Sequence, residues 1–79
     1  MKIAICIPAY NEERNIATII KKLKQISDLI IVCNDGSTDL TADTAKNAGA
    51  MVINHKENLG YGAAIRSLFL KAKEIEADI

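Results

Sequence analysis

The sequence predicts an α/β fold with an open parallel sheet, in the order βαβαβα. Two observations predict it: short and nearly continuous apolar runs of strand length recur along the chain, and the segments between them carry apolar residues at helical spacing. Strands that alternate with helices in this way form parallel sheets with right-handed crossovers and helices on both faces. The turns after the first two strands then carry most of the candidate functional residues.

The first strand is predicted over residues 2–7, because this run is nearly all apolar and suits a strand buried on both faces. Pro8 is expected to end it, since proline offers no amide to a sheet ladder. A helix is predicted to follow from Glu12 to Gln25. Its expected buried face consists of Ile16, Ile19, Ile20 and Leu23.

The second strand is predicted over residues 29–33, which are again apolar, and turn-forming residues follow it at positions 34–37. The second helix is predicted over residues 38–48. Ser37 or Asp39 is expected to cap its start, and Gly49 is expected to end it in a left-handed conformation.

The third strand is predicted over residues 50–54, followed by a loop at 55–62 and a helix at 63–75. The expected buried face of this helix consists of Ile65, Leu68, Phe69 and Ala72. Asp78 and Ile79 look like the first step of a fourth strand. Because a chain of 79 residues buries only about 60 to 65% of its unfolded surface and so has little margin of stability, we expect residues 1–79 to be a single truncated domain, the N-terminal part of a larger unit.

Composition limits the classes of function. The 10 basic and 10 acidic side chains balance, so net charge gives no support to a nucleic-acid or anionic-lipid partner. The apolar run after Lys2 is too short for a signal sequence or a membrane span. These features predict a cytoplasmic protein.

Neither cysteine shows metal-binding spacing. Cys6 and Cys33 fall within predicted strands and are expected to be free core thiols. Their strands could be neighbours, so a disulfide is conceivable, but a cytoplasmic setting argues against it. His55 is expected to be a solvated loop histidine without a partner.

The turns after the first two strands point to a ligand site, because ligands of open α/β sheets bind beyond the carboxyl ends of the strands. These turns offer the ring of Tyr10, the carboxylates of Glu12 and Asp35, and free backbone groups around Pro8 and Cys33. Such a set suits a nucleoside, since a ring can pack against a base and carboxylates can accept hydrogen bonds from base nitrogens and ribose hydroxyls.

A purely local role is the alternative for several of these polar residues. Helix caps and first-turn acids are favoured at the positions of Asn11, Glu12, Ser37 and Asp39. Asp35 is the strongest functional candidate, because it precedes Gly36 at the tip of a strand, before the helix needs a cap. Gly60 and Gly62 are a weak phosphate signal, and the chain has neither a P-loop nor a GxGxxG fingerprint after strand one.

Three motifs occur in order along the chain: IPAYNEE at residues 7–13, VCNDGSTD at 32–39 and NLGYGAA at 58–64. Together they resemble the start of a family 2 glycosyltransferase of the GT-A type, a Rossmann-like nucleotide-diphospho-sugar transferase fold. The resemblance covers nearly the whole chain. The third motif is similar to that of polyprenyl-phosphate (dolichyl-phosphate) mannose or glucose synthases.

The resemblance implies transfer of a sugar from a nucleoside diphosphate sugar to an acceptor, and the third motif implies a polyprenyl phosphate as that acceptor. Pro8, Tyr10 and Glu12 match family positions that contact the nucleotide, and Cys33 and Asp35 match positions that line the base pocket. Cys33 would act mainly through its backbone, and Asp35 would accept from an N–H group of uracil or guanine. No residue of the chain is assigned a catalytic role.

The family usually uses Mg²⁺ or Mn²⁺ to neutralise the departing diphosphate. Its metal ligands lie in an Asp-x-Asp motif on the next strand, and residues 1–79 contain no such motif. We therefore expect the chain by itself to be inactive. Its first strand would have a bare outer edge, which predicts self-association.

The residues alone leave two other classes of function open. One is a small non-catalytic nucleotide-binding α/β module, which would be a stable monomer with a closed core. The other is a sugar nucleotidyltransferase, which usually has a Gly-rich, basic loop after strand one. Residues 9–12, Ala-Tyr-Asn-Glu, are neither Gly-rich nor basic.

Overall fold

Three strands alternate with three helices in the computed structural model, which describes residues 3–78. The predicted βαβαβα order is confirmed. The elements are β1 (Ala4–Ala9), α1 (Ile16–Leu23), β2 (Leu29–Asp35), α2 (Thr41–Asn47), β3 (Met51–His55) and α3 (Tyr61–Glu74).

The strands form one parallel sheet in the order β1-β2-β3, with β2 in the centre. Side chains of a strand alternate between the two faces, so each strand contributes to two cores. The core on the α1 and α2 side contains Ile16, Ile20, Ile30, Val32 and Ala45, and the core on the α3 side contains Ala4, Ile31, Cys33, Ala64, Leu68 and Ala72. Both faces of β1 are covered as predicted, although residues 5–8 are only half-buried.

Pro8 does not end the first strand, contrary to prediction. β1 continues to Ala9, and Pro8 pairs in register with Cys33. The N–H of Ala4 points away from β2 and donates to the carbonyl of Asp78 at 2.6 Å. Because backbone groups alternate along a strand, the nitrogen of Pro8 also faces away from β2, and its missing N–H removes no bond from the β1–β2 ladder.

Both of the first two helices begin later than predicted. The carbonyl of Glu12 accepts the N–H groups of Asn15 and Ile16 in a turn that precedes α1. Within α1, Ile16 and Ile20 are buried, whereas Ile19 is 38% exposed. Before α2, the Asp39 carboxylate accepts the N–H of Thr41 at 3.0 Å.

The N-cap residue of α2 is Leu40, so neither of the two predicted caps occupies that position. Asp39 accepts the N–H of Thr41 from one residue before the cap, and Ser37 accepts the N–H of Asn11. Gly49 follows the helix with φ +102°, in the positive range that was predicted.

The third helix begins at Tyr61, two residues before its predicted start, and it buries a stripe of Ala64, Leu68 and Ala72. The prediction that Phe69 is buried was wrong, because this side chain is 57% exposed. Residues at spacing four share one line along a helix, and Phe69 lies one residue, about 100°, around from that line.

Asp78 forms an isolated parallel bridge with Ile3 on the outer side of β1. This is the position expected for the start of a fourth strand, and Ile79, the other residue of that prediction, lies outside the described residues. In the described part of the chain, no helix has the length and apolar character needed to cross a membrane.

Candidate functional site

A cavity of about 240 Å³ lies beyond the carboxyl ends of β1 and β2, beside the first turn of α3. The cavity is formed where two strand ends and a helix start converge, which is the usual place for a ligand in an open parallel sheet. Its walls include Pro8, Tyr10, Asp35, Asn58, Gly60 and Tyr61.

The carboxylate of Asp35 is held by three donors. Its Oδ1 accepts from His55 Nδ1 at 2.8 Å and from the N–H of Leu59 at 2.9 Å, and its Oδ2 accepts from the N–H of Gly60 at 3.0 Å. The hydrogen bond from His55, followed by those from the two amides, lowers the pKa of Asp35 from 3.8. Asp35 is therefore an ionised, nearly buried acceptor at the floor of the cavity.

His55 was expected to be a solvated loop histidine without a partner, and this expectation was wrong. It is the last residue of β3, stands in register with Asp35, and has a side chain only 10% exposed. Its other ring nitrogen, Nε2, lies 2.8 Å from Oγ of Ser67 on α3. Parallel pairing of β2 and β3 places His55 on the same face as Asp35, which the sequence alone does not specify.

Cys33 is fully buried beneath the histidine ring. Its sulfur lies 3.6 Å from Nε2 and 4.0 Å from Nδ1 of His55, at distances of weak hydrogen bonds to sulfur. Burial, together with the nearby Asp35 carboxylate, raises the pKa of the Cys33 thiol to about 11. Burial also raises the pKa of the half-buried Cys6, and both cysteines are free, as expected.

Reciprocal hydrogen bonds connect the turn after β1 to the turn after β2. Ser37 Oγ accepts the N–H of Asn11 at 2.9 Å, and Asn11 Oδ1 accepts the N–H of Thr38 at 2.8 Å. Asn11 adopts φ +52°, a conformation that asparagine tolerates better than most residues. These polar side chains satisfy backbone groups of the opposite turn, so Asn11 and Ser37 are not the helix caps that the local alternative expected.

A second set of bonds extends this connection to the start of α2. The N–H of Glu12 donates to Thr41 Oγ1 at 2.9 Å, and the N–H of Leu40 donates to a carboxylate oxygen of Glu13 at 3.1 Å. Asp39 accepts the hydroxyl of Thr41 and the N–H of Glu13. The two turns are thus held in a fixed relation below the cavity.

Three of the five predicted site residues, Pro8, Tyr10 and Asp35, line the cavity. The other two do not line it: Cys33 is buried behind it, and Glu12 is half-buried with Oε2 at 3.4 Å from Asn15 Nδ2. Sequence reasoning missed His55 and Ser67. A signal was present for His55, because it follows the predicted third strand by one residue and so lies at the same sheet edge as Asp35.

A metal site is not formed by the residues that the structure describes. Residues 3–78 contain no group of three or more His, Cys, Asp or Glu side chains placed to bind a metal ion. Asp35 and His55 bind each other, and the third neighbour, Cys33, carries a neutral thiol. The donor set therefore does not fit a divalent cation within this region.

Comparison with known proteins gives a family match over most of the chain. The profile of glycosyl transferase family 2 matches residues 4–74. The chain is 37% identical over 70 residues to a dolichyl-phosphate hexose transferase of Haloferax volcanii, and the alignment covers 86% of this chain and 30% of that protein. It is 40% identical over 80 residues to protein RfbJ of Shigella flexneri, and this alignment covers 98% of this chain and 58% of that protein.

A solved structure shares the same fold. The structure of glucosyl-3-phosphoglycerate synthase from Mycobacterium tuberculosis with Mn²⁺, UDP-glucose and phosphoglyceric acid matches with a TM-score of 0.71 and 31% identity. The match covers 81% of this chain and 27% of that chain. The chain thus spans less than two thirds of the length of each of these relatives.

Proposed function

The chain belongs to glycosyl transferase family 2, and from that premise we propose that it forms the nucleotide-binding part of a glycosyltransferase that moves a sugar from a nucleoside diphosphate sugar to an acceptor. The observation that carries the proposal is the Asp35 carboxylate at the floor of a cavity whose wall includes the ring of Tyr10. A fixed acceptor beside an aromatic ring is the combination that a nucleobase needs. Family membership also favours glycosyl transfer over the alternative of nucleotidyl transfer.

Each predicted site residue has a distinct role in this proposal. Asp35 accepts an N–H group of the base, and the ring of Tyr10 packs against the base plane. Pro8 and the backbone of Cys33 shape the base pocket, and Glu12 accepts from a ribose hydroxyl after its side chain turns from Asn15. The turn-to-turn hydrogen bonds join the residues that follow Tyr10 and Asp35 in the chain.

The size of the cavity limits what it holds. About 240 Å³ is below the roughly 300–1,000 Å³ of pockets that enclose a drug-sized ligand. The cavity therefore suits a base with part of its ribose, and the diphosphate and sugar would extend beyond it. The solved relative that contains UDP-glucose supports a uridine diphosphate sugar as the donor.

The acceptor and the metal are proposed from the relatives. The dolichyl-phosphate hexose transferase supports a lipid phosphate acceptor, and the Mn²⁺ of the solved relative supports Mn²⁺ or Mg²⁺. Such an ion would neutralise the departing diphosphate. Because residues 3–78 form no metal site, its ligands would come from elsewhere in the transferase, and we propose that this chain binds nucleotide without completing transfer.

Location and assembly complete the proposal. We propose a cytoplasmic protein, or one at the cytoplasmic face of a membrane where a lipid phosphate is the acceptor. Beyond the Ile3–Asp78 bridge, residues 3–78 supply no strand partner for the outer side of β1. An open strand edge can pair with another copy of the chain, so we propose self-association through this edge.

The test is an amide-resolved NMR titration of the chain with UDP and then GDP, with and without Mg²⁺. Shifts that concentrate at residues 9–12 and 33–36 and in the 58–62 segment are expected. Loss of these shifts in Asp35→Ala, with retained dispersion of the remaining spectrum, would locate the base. Absence of any shift at millimolar nucleotide in the folded wild type would overturn the proposal.

A further inference from the structure

We infer that His55, held by Ser67, is the positioning residue that presents the Asp35 carboxylate to a single N–H donor of the nucleobase. The inference rests on the proposed function, because it takes the base to bind at Asp35. No motif in the sequence assigns a role to His55 or Ser67. The evidence is the hydrogen-bonded chain Ser67–His55–Asp35, which runs from α3 across β3 to the floor of the cavity.

The donors and acceptors of this chain have only one consistent assignment for a neutral ring. An ionised carboxylate is an acceptor only, so His55 Nδ1 must carry a hydrogen and donate to Asp35. Nε2 is then the acceptor, and the hydroxyl of Ser67 donates to it across 2.8 Å. The sulfur of Cys33 also approaches Nε2, but at 3.6 Å it is farther away than the Ser67 hydroxyl, and a thiol is the weaker donor. Asp35 thus fixes the tautomer of the ring, and Ser67 fixes its rotation.

Counting acceptor positions shows what remains for a ligand. Each carboxylate oxygen accepts about two hydrogen bonds. Oδ1 is filled by His55 and the N–H of Leu59, whereas Oδ2 accepts only from the N–H of Gly60. One position on Oδ2 is left, and Asp35 lines the cavity.

The single free acceptor position on Oδ2 distinguishes uracil from guanine. Uracil offers one ring N–H between two carbonyls, which needs one acceptor. Guanine offers a ring N–H and an adjacent amino group, and a carboxylate binds both only when each of its oxygens has a free position. The filled Oδ1 therefore favours uridine over guanosine nucleotides, and His55 supplies one of the two bonds that fill it.

Ser, His and Asp also form the catalytic triads of hydrolases, but here the acid and the hydroxyl exchange places relative to the ligand site. In a triad the hydroxyl faces the substrate and the acid lies behind the histidine. Here the acid lines the cavity, while Ser67 lies within α3, where backbone amides are already bonded along the helix. No amide of that helical turn is free to stabilise an oxyanion, so the chain fits positioning of Asp35 and not nucleophilic attack.

Two substitutions of His55 separate its two hydrogen bonds. Asn places its amide near the position of Nδ1 and can donate to Asp35, whereas Gln places its amide near Nε2 and reaches Ser67 instead. We expect His55→Gln to weaken UDP binding about tenfold and to raise the pKa of Asp35 toward 3.8, its ordinary value. His55→Asn is expected to stay within about threefold of wild type and to keep the low pKa.

The measurements are the dissociation constants of UDP and GDP by calorimetry and the pKa of Asp35 by carboxyl ¹³C NMR in the absence of ligand. A merely structural role of His55 would change the stability of both variants without moving the pKa of Asp35 or the UDP-to-GDP preference. The inference is overturned if His55→Gln keeps both the wild-type pKa and the wild-type preference. Failure of the wild type to bind UDP or GDP would instead overturn the proposed function, while the pKa measurement would still report on His55.

A readout on the wild type remains if His55→Gln does not fold. A long-range ¹H–¹⁵N spectrum of the folded chain should show the Nδ1–H tautomer of His55, and a proton found on Nε2 alone would overturn the inference. Ser67→Ala provides a milder variant, which removes the hydroxyl and leaves the His55–Asp35 bond in place. We expect Ser67→Ala to keep the Nδ1–H tautomer, because Asp35 still accepts from Nδ1, and to weaken UDP binding by about threefold, because the ring loses its second hydrogen bond. Unchanged UDP binding in Ser67→Ala would contradict the role given to Ser67.

Discussion

Gly36 lies directly against the backbone of Glu57. A Cβ atom added to Gly36 would be 2.2 Å from the carbonyl carbon of Glu57 and 2.3 Å from the nitrogen of Asn58, and Gly36 also has φ +70°. Because both contacts are to backbone atoms, the whole loop that contains Glu57 and Asn58 would have to move to relieve the clash. Gly36 therefore sets how closely the loop after β3 approaches Asp35, and this loop supplies the Leu59 and Gly60 amides.

The first prediction is that Gly36→Ala destabilises the fold and opens the cavity. The positive φ alone costs about 1–2 kcal/mol for a residue with a Cβ, and the backbone clash adds to it. We expect a loss of at least about 2 kcal/mol in the free energy of unfolding, measured by urea denaturation. Gly62→Ala is the control, because nothing lies within 4 Å of its added Cβ and alanine is favoured in helices. Equal stability of the two variants would contradict the prediction.

The second prediction concerns Tyr10, which is 46% exposed and lines the cavity. Tyr10→Ala should weaken nucleotide binding, since base stacking on an aromatic ring is worth about 1–3 kcal/mol. That range corresponds to about 5- to 150-fold in the dissociation constant, measured by calorimetry. Tyr10→Phe keeps the ring and should bind like wild type. If the phenylalanine variant lost as much affinity as the alanine variant, the hydroxyl and not the ring would be the contact.

The third prediction is a loss of stability in acid. The folded-state pKa values of Asp35 and Asp39 lie below the ordinary value of 3.8, because hydrogen bonds stabilise both carboxylates. A depressed pKa contributes stability that is fully present above the unfolded value and is lost as pH falls through the folded value. The free energy of unfolding should therefore be level above about pH 5 and decline below pH 3.8.

Urea denaturation between pH 2 and pH 7 measures this decline. Asp35→Asn and Asp39→Asn should each flatten the acid limb of the curve. Asp43→Asn, on the exposed side of α2, removes a carboxylate without removing any of these hydrogen bonds and serves as the charge control. A wild-type curve that is level down to pH 2 would count against the prediction.

The fourth prediction concerns Thr41, whose side chain is fully buried between the two turns. Its hydroxyl accepts the N–H of Glu12 and donates to Asp39. Thr41→Val keeps the shape and removes both bonds, and a buried donor left without a partner costs about 1–3 kcal/mol. We expect a thermal midpoint several degrees below that of wild type. Thr41→Ser keeps the hydroxyl and should lose less; the opposite order would mean that the methyl group, not the hydroxyl, stabilises this position.

The fifth prediction concerns self-association through the outer edge of β1. Sedimentation velocity at increasing concentration should show dimers or larger species. Ile3→Lys should reduce them, because Ile3 is 48% exposed at that edge and a lysine there opposes strand pairing. Ile26→Lys, at a site 77% exposed after α1, controls for lost surface hydrophobicity. A monomeric wild type at high concentration would argue against the proposed edge pairing.

The element order and the candidate acid at Asp35 could be predicted from the sequence. Apolar runs such as residues 29–33 indicate buried strands because only a covered sheet leaves no polar face. Turn residues at 34–37 then mark where the strand ends. This information is local, and the three helices between and after the strands follow from the same kind of local periodicity.

Local patterns were weakest at the element ends and at side chains whose partners are distant in the chain. Pro8 was expected to end β1, but the direction of its backbone nitrogen depends on which side of β1 holds β2. Phe69 was expected in the core, but only the packing of α3 against the sheet decides which part of its apolar surface is covered.

The βαβαβα order, the family and the position of Asp35 at a strand end all follow from local patterns in the chain. The surroundings of that carboxylate depend on long-range packing. His55 meets Asp35 because β2 and β3 pair in one register, and a shift of one residue would turn its ring to the other face of the sheet. Register arises from packing between segments that are 20 residues apart, so the sequence could place His55 at the sheet edge of Asp35 but could not show that the two side chains meet.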